Sequence, residues 1–133
     1  MAGNSGDYLA DTHALLFFWG EPKRLSKRAR GVLRDPENRI FVSPATAWEL
    51  ATKVRIGKLP LGQPILDTFG HRLLEDGFVE LAITTAHALR AGSLPGPHRD
   101  PFDRMLAAQS ILEGIPILSA DSEIEGFGAE RIW

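Results

Sequence analysis

Short apolar runs alternate with segments of helical period along this chain. Tyr8-Leu9-Ala10 is apolar and stops at an acid, and His13 to Trp19 continues as a mostly apolar block that Pro22 ends, the pattern of a strand feeding a helix. Leu25, Ala29, Val32 and Leu33 recur at helical spacing while Lys27, Arg28, Arg30 and Arg34 take the other side. That predicts an amphipathic helix with a basic outer face, closed by Asp35-Pro36. Ile40-Phe41-Val42 reads as a buried strand, and Ser43-Pro44 supplies a cap and a first-turn proline for a helix to about Ile56, with Gly57 as its stop. After a Pro/Gly loop over 58–64, a helix is expected from about Ile65 to Glu75, a turn at Asp76-Gly77, a third strand over Phe78 to Ile83, and a helix from Thr85 to Ala91 ended by Gly92. Asp100-Pro101 repeats the cap-plus-proline opening for a helix to Glu113-Gly114. Pro116-Ile117-Leu118 is the fourth strand, 121–128 a turn with about one helical turn, and Arg131-Ile132-Trp133 offers a short last edge strand. Strands that are apolar throughout, separated by helices, predict an α/β domain with a parallel sheet covered on both faces. Residues 1–7 are polar and read as a flexible segment ahead of a single domain over 8–133.

Composition narrows the function more than the fold. The chain has 133 residues, 44% hydrophobic and 24% charged, enough for one domain with its own core. It has no cysteine, which excludes cysteine-ligated zinc, thiol nucleophiles and disulfide scaffolds. Its polar start lacks the features of a secretory signal and no apolar stretch is long enough for a bilayer span, so a cytoplasmic protein without membrane contact is expected. Charge is unevenly placed: residues 1–66 carry +4 and residues 67–133 carry −6. Lys23, Arg24, Lys27, Arg28, Arg30 and Arg34 place six positive charges in twelve residues without an acid. Such a stretch suits a nucleic-acid backbone, or is simply a solvated helix face.

In open parallel sheets the ligand site lies beyond the carboxyl ends of the strands. Asp11 follows the first strand and Asp121 the fourth; Glu49 lies six residues past Ser43, and Asp103 is in the first turn of the helix that Asp100 opens. Each acid has a plain structural reading. Asp11 and Asp121 suit helix caps, Asp103 complements a helix dipole, and Glu49 fits a solvated helix face. If the sheet is parallel and doubly wound, all four can converge on one end of it. Two carboxylates about 5 Å apart repel by roughly 3 kcal/mol at an effective dielectric near 20, so four must protonate or hold a cation. Oxygen ligands with retained waters suit magnesium or manganese, whose chemistry at a phosphate is phosphodiester hydrolysis. His98 and Arg99 precede Asp100, where they contact a substrate phosphate or only shape the loop. No Walker or dinucleotide glycine pattern, HExxH pairing or serine elbow is present. Two rivals remain. A non-catalytic RNA- or protein-binding module has no need of four repelling acids, and a receiver-type phosphoryl-transfer domain expects paired early acids and a late lysine, whereas the last lysine here is Lys58.

The strings Leu9-Ala10-Asp11-Thr12-His13-Ala14-Leu15-Leu16, Ser43-Pro44-Ala45-Thr46-Ala47-Trp48-Glu49-Leu50, Gly57-Lys58-Leu59-Pro60, His98-Arg99-Asp100-Pro101-Phe102-Asp103-Arg104-Met105-Leu106 and Ser119-Ala120-Asp121 resemble the ordered motifs of PIN-domain proteins. The likeness is to the VapC-type toxins of bacterial toxin–antitoxin pairs and runs from Tyr8 to Trp133. It implies a three-layer α/β/α sandwich with a central parallel five-stranded sheet, and a Mg2+- or Mn2+-dependent endoribonuclease. Asp11, Glu49, Asp103 and Asp121 match the family's acidic quartet, as catalytic and metal-binding residues. Thr12, Ser119 and Asp100 would support them, and Lys23, Arg24, Lys27, Arg28 and Arg99 would face RNA. A small VapB-like antitoxin and a homodimer are the implied partners, with Phe17, Phe18 and Trp19 either in such a contact or in the core. His13 stands where many members carry Asn, and Pro44 is less usual after the strand-ending serine.

Overall fold

The computed structural model describes residues 6–133. Five parallel strands, β1 (Asp7–Ala10), β2 (Arg39–Val42), β3 (Val79–Glu80), β4 (Ile117–Leu118) and β5 (Arg131–Ile132), form one sheet in the order β3-β2-β1-β4-β5. Seven helices connect them: α1 (Thr12–Gly20), α2 (Lys27–Arg34), α3 (Pro44–Arg55), α4 (Gln63–Asp67), α5 (Phe69–Asp76), α6 (Thr85–Ser93) and α7 (Pro101–Glu113). Two 3-10 turns, Pro22–Arg24 and Ser122–Phe127, complete the described chain. The pleat sorts the strand side chains into two cores. Ala10, Ile40, Val42, Leu118 and Ile132 join Ala14 and Leu15 of α1, Ala29 and Leu33 of α2 and Leu73 of α5 on one face. Leu9 and Ile117 join Ala91 of α6, Leu106, Ala107 and Ala108 of α7, and Phe127 on the other. The result is the expected three-layer sandwich.

Local chemistry places most boundaries where the pattern put them. Ser43 caps α3 through the Ala45 N–H at 3.1 Å with Pro44 in its first turn, and Ser26, unremarked in the pattern, caps α2 through Ala29 N–H at 2.9 Å. Four expectations need correction. β3 is two residues, not the six from Phe78 to Ile83, because its single neighbour β2 offers partners only at Phe41 and Val42 before turning into α3. Gly92 does not stop α6. The helix runs on to Ser93 and closes with Leu94 N–H on Arg90 O, just ahead of Pro95. The helix expected from Ile65 to Glu75 is two pieces. Thr68 turns its hydroxyl back to Pro64 O at 2.7 Å and accepts Arg72 Nε at 2.9 Å, a local bonding pattern that competes with the helical ladder. Asp7, assigned to the leading segment, opens β1 and pairs with Arg39 on β2 at 2.7 Å; residues 1–5 of that segment lie outside the described residues.

Phe17, Phe18 and Trp19 are half-buried and pack against the first core, with Phe18 on Phe78 and Trp19 edge-on to Phe69. Among the described residues no helix is long and apolar enough to cross a membrane.

Candidate active site

After β1 the chain moves outward to β2 and β3 and then returns to add β4 on the other side of β1, so the strand order reverses between β1 and β4. A crevice is expected at such a switch point. Asp11 ends β1 there and caps α1, its Oδ1 accepting Ala14 N–H at 2.8 Å, while its own N–H bonds Leu118 O at 3.1 Å. The side chain is 6% exposed. Burial pushes its pKa up from 3.8 to about 6, and nearby Asp103 pushes the same way; bonds from the Ser119 hydroxyl and the Ala14 N–H, and the proximity of His13, oppose it.

The other acids arrive from neighbouring elements. Glu49, on the second turn of α3, is 5% exposed rather than solvated. Thr12 donates its hydroxyl to Glu49 Oε1 at 2.6 Å and lies 3.1 Å from the Thr46 hydroxyl, and Lys53 Nζ holds Oε2 at 3.0 Å. Asp100 caps α7 through the N–H groups of Phe102 and Asp103 at 2.9 and 3.1 Å, which fixes the turn that carries Asp103. The Asp103 pKa is raised, chiefly by burial and then by Asp100 and Glu49, against a hydrogen bond to His98. Asp121 leaves β4 through buried Ser119, whose Oγ accepts Asp121 N–H at 3.0 Å; its own Oδ1 caps the 3-10 turn at Glu123 N–H. The Ser119 hydroxyl therefore joins the two strand-end acids, Asp11 and Asp121.

His98 was the ambiguous residue of the sequence. Its Nε2 lies 2.8 Å from Asp103 Oδ2, its Nδ1 3.4 Å from Glu123 Oε2, and its ring packs on Phe127. Arg104 positions it. The guanidinium donates to the carbonyls of Ala91, Leu94 and His98 and lies over Phe127, tying the 94–98 loop to the end of α6. Beside His98 a cleft of about 730 Å³ opens between Pro95, Pro97 and Arg99 on one wall and Ser122, Glu123 and Phe127 on the other.

His98, Asp103 and Asp121 offer donor atoms that lie within 4.8 Å of one another. Asp11 and Glu49 flank this set. The donors fit a hard divalent cation: carboxylate oxygens dominate and one imidazole joins them. Sequence reasoning missed Thr46 and Lys53. Lys53 carried a signal, since it stands four residues past Glu49 on the same helix; Thr46 carried none. Lys23, Arg24, Lys27 and Arg28 are exposed on the segment around α2, and none of their contacts among the described residues reaches the acids. Arg99 is exposed on the cleft wall.

A family model described as PIN domain matches residues 8–129. Ribonuclease VapC16 of Mycobacterium tuberculosis (strain ATCC 25618 / H37Rv) is 36% identical over 58 residues, which is 44% of this chain. That match spans only 41% of the relative's length. Among solved structures, VapBC2 from Rickettsia felis bound to a DNA fragment from their promoter superposes with a TM-score of 0.68 at 16% identity, over 95% of this chain and 97% of that one. VapBC-1 from nontypeable Haemophilus influenzae gives 0.65 at 16% identity, over 95% and 96%. FitAcB from Neisseria gonorrhoeae gives 0.61 at 18% identity, over 95% and 96%. At these identities the structures share the fold.

Proposed function

The chain belongs to the PIN-domain family, and we propose that it is a Mg2+- or Mn2+-dependent endoribonuclease that acts as the toxin of a toxin–antitoxin pair. The observation that carries the reading is the gathering of acids at the crevice where the strand order reverses: Asp11 and Glu49 are buried there, and Asp103 and Asp121 bring donor atoms within 4.8 Å of one another and of His98. A structural cap needs no such burial. The partly matched relative, a ribonuclease, and the fold neighbours, a toxin–antitoxin complex from Klebsiella pneumoniae among them, support the same reading. They also support a VapB-like antitoxin as partner; a homodimer in the cytoplasm completes the proposal.

Asp11, Glu49 and Asp103 would hold the cation, directly or through water, with Asp121 completing the ring. Bound there, a divalent ion supplies an activated water for in-line attack and neutralises charge on the phosphate. The chain's own residues hold the acids in place. Thr12 and Lys53 orient Glu49, Asp100 fixes the first turn of α7 under Asp103, and Ser119 spaces Asp11 from Asp121. Arg99, on the cleft wall, and the basic segment with Lys23, Arg24, Lys27 and Arg28 bind the RNA backbone.

The test is cleavage of total cellular RNA by the purified, partner-free chain with magnesium or manganese, with EDTA, and with Asp103→Asn. Cleavage that falls by orders of magnitude in both controls is the expected result. Cleavage that persists in EDTA, or in Asp103→Asn at the wild-type rate, removes the acidic site from the reaction.

A further inference from the structure

A nucleotide joins an anionic phosphate to a flat, largely apolar base, so a surface that holds one needs two unlike parts side by side. The second turn of α3 and the first turn of α7 provide them twice over, on neighbouring residues. Trp48 precedes Glu49, and Phe102 precedes Asp103. The two aromatic rings meet edge-to-face, centroids 4.8 Å apart at 82°, a geometry that fixes the indole against α7. Trp48 is nevertheless 62% exposed, in a protein whose other tryptophans, Trp19 and Trp133, are packed against the core. Single exposed leucines are ordinary on a protein surface, but an exposed tryptophan packed edge-on to Phe102, next in sequence to buried Glu49, calls for an occupant. The ring borders a hollow of about 250 Å³ lined by Ala45, Ile83, Pro101, Met105 and Arg104. Its wall is almost wholly apolar, because the Arg104 guanidinium is taken up by the carbonyls of Ala91, Leu94 and His98, and an apolar hollow beside an indole suits the flat face of a base.

We propose that the Trp48–Phe102 pair is a base-stacking platform, on which an unstacked nucleobase of the RNA lies against Trp48 while an adjacent phosphate sits at the acids. This rests on the ribonuclease reading and adds to it a residue that grips the substrate by its base. Stacking on an aromatic side chain tolerates every base, because each has a π-face. Trp48 therefore contributes affinity without dictating sequence, and the contribution is insensitive to salt, unlike that of Arg99 or the α2 cations.

The experiment uses the full-length chain carrying Asp103→Asn, which suppresses cleavage, with and without Trp48→Ala. Two fluorescein-labelled probes are titrated: a twelve-nucleotide oligouridylate and an oligomer of the same length whose riboses carry no bases. Trp48→Ala is expected to weaken oligouridylate binding by about tenfold or more and to leave the abasic oligomer unchanged, with Trp48→Phe recovering most of the loss. Equal loss on both probes, or none on either, overturns the platform and leaves the ribonuclease reading standing. If the parent chain binds neither probe, the RNA reading and the platform fall together. A shift of Trp48→Ala from dimer to monomer in sedimentation, without a base-dependent loss, overturns the platform by assigning Trp48 to contact between two copies of the chain.

Discussion

A hydroxyl and a guanidinium carry more of this site than their residue types announce. Glu49 is buried, and its oxygens are each held by one donor, Thr12 on Oε1 and Lys53 on Oε2. Removing a donor from a buried charged acceptor costs about 1.5–3 kcal/mol. Thr12→Val should therefore slow RNA cleavage about tenfold or more, by letting Glu49 leave its position, while Thr12→Ser keeps the donor and most of the rate; equal rates for the two variants would remove Thr12 from the site. Arg104 acts on the loop instead. Its fork satisfies three carbonyls, at Ala91, Leu94 and His98, and a lysine ammonium lacks the rigid fork that reaches all three. Arg104→Lys is expected to lower unfolding free energy in urea by about 1–3 kcal/mol, and a loss within error of zero would show that water replaces the guanidinium. Asp11, Asp103 and Asp121 were legible because a strand end or a cap fixes them locally. His98 was legible only as a loop histidine, since its bond to Asp103 depends on a loop whose course Arg104 sets.

At the scale of elements, the chain's local signals placed both ends of α3 and α7 and the start of α6, and missed the extent of β3, the end of α6 and the break between α4 and α5. Caps at Ser43, Asp100 and Asp121 act over three residues and hold in the structure. The six-residue stretch from Phe78 to Ile83 failed as a strand because strand length depends on a partner, and β2 ends at Val42. Glycine misled for a related reason: it ends a helix only where the chain must turn left-handed. Gly114 does so, at φ +68 as the cap of α7, whereas Gly92 continues α6 with open space where a Cβ would sit. The two should respond oppositely to alanine. Gly114→Ala is expected to destabilise by about 1–2 kcal/mol from left-handed backbone strain, and Gly92→Ala to stabilise by about 0.5–1 kcal/mol from helix propensity, both read from urea midpoints at unchanged slope. Destabilisation by Gly92→Ala would mean that α6 stops where the sequence pattern first put its end.

For the whole molecule, the uneven charge of the two halves is resolved by topology: Asp11 and Glu49 come from the basic half, Asp103 and Asp121 from the acidic one, and the return from β3 to β4 brings them together. Convergence on a buried crevice has a cost that pH exposes. The rise of Asp11 from 3.8 to about 6 means that the folded chain binds a proton more tightly than the unfolded one. Stability from this group falls as pH rises across that interval, by about 3 kcal/mol at most, and stays low above it. Asp103 is shifted in the same direction by burial, and its contribution has the same sign. The pKa of His98 is raised by its bond to Asp103, so its contribution is present below the ordinary histidine value and is also lost as pH rises. All three effects have the same sign. In EDTA the protein should melt at a higher temperature at pH 5 than at pH 8, and Asp11→Asn, which keeps a capping side chain for Ala14 N–H but carries no charge, should flatten the profile and melt above wild type at pH 8. A cation bound by the deprotonated acids opposes the same penalty, so Mg2+ should raise the melting temperature at pH 8 and have little effect at pH 5, where protons occupy the carboxylates. A profile in EDTA that rises with pH, or a magnesium response equal at both pH values in wild type and Asp11→Asn, would place the cation elsewhere on the molecule.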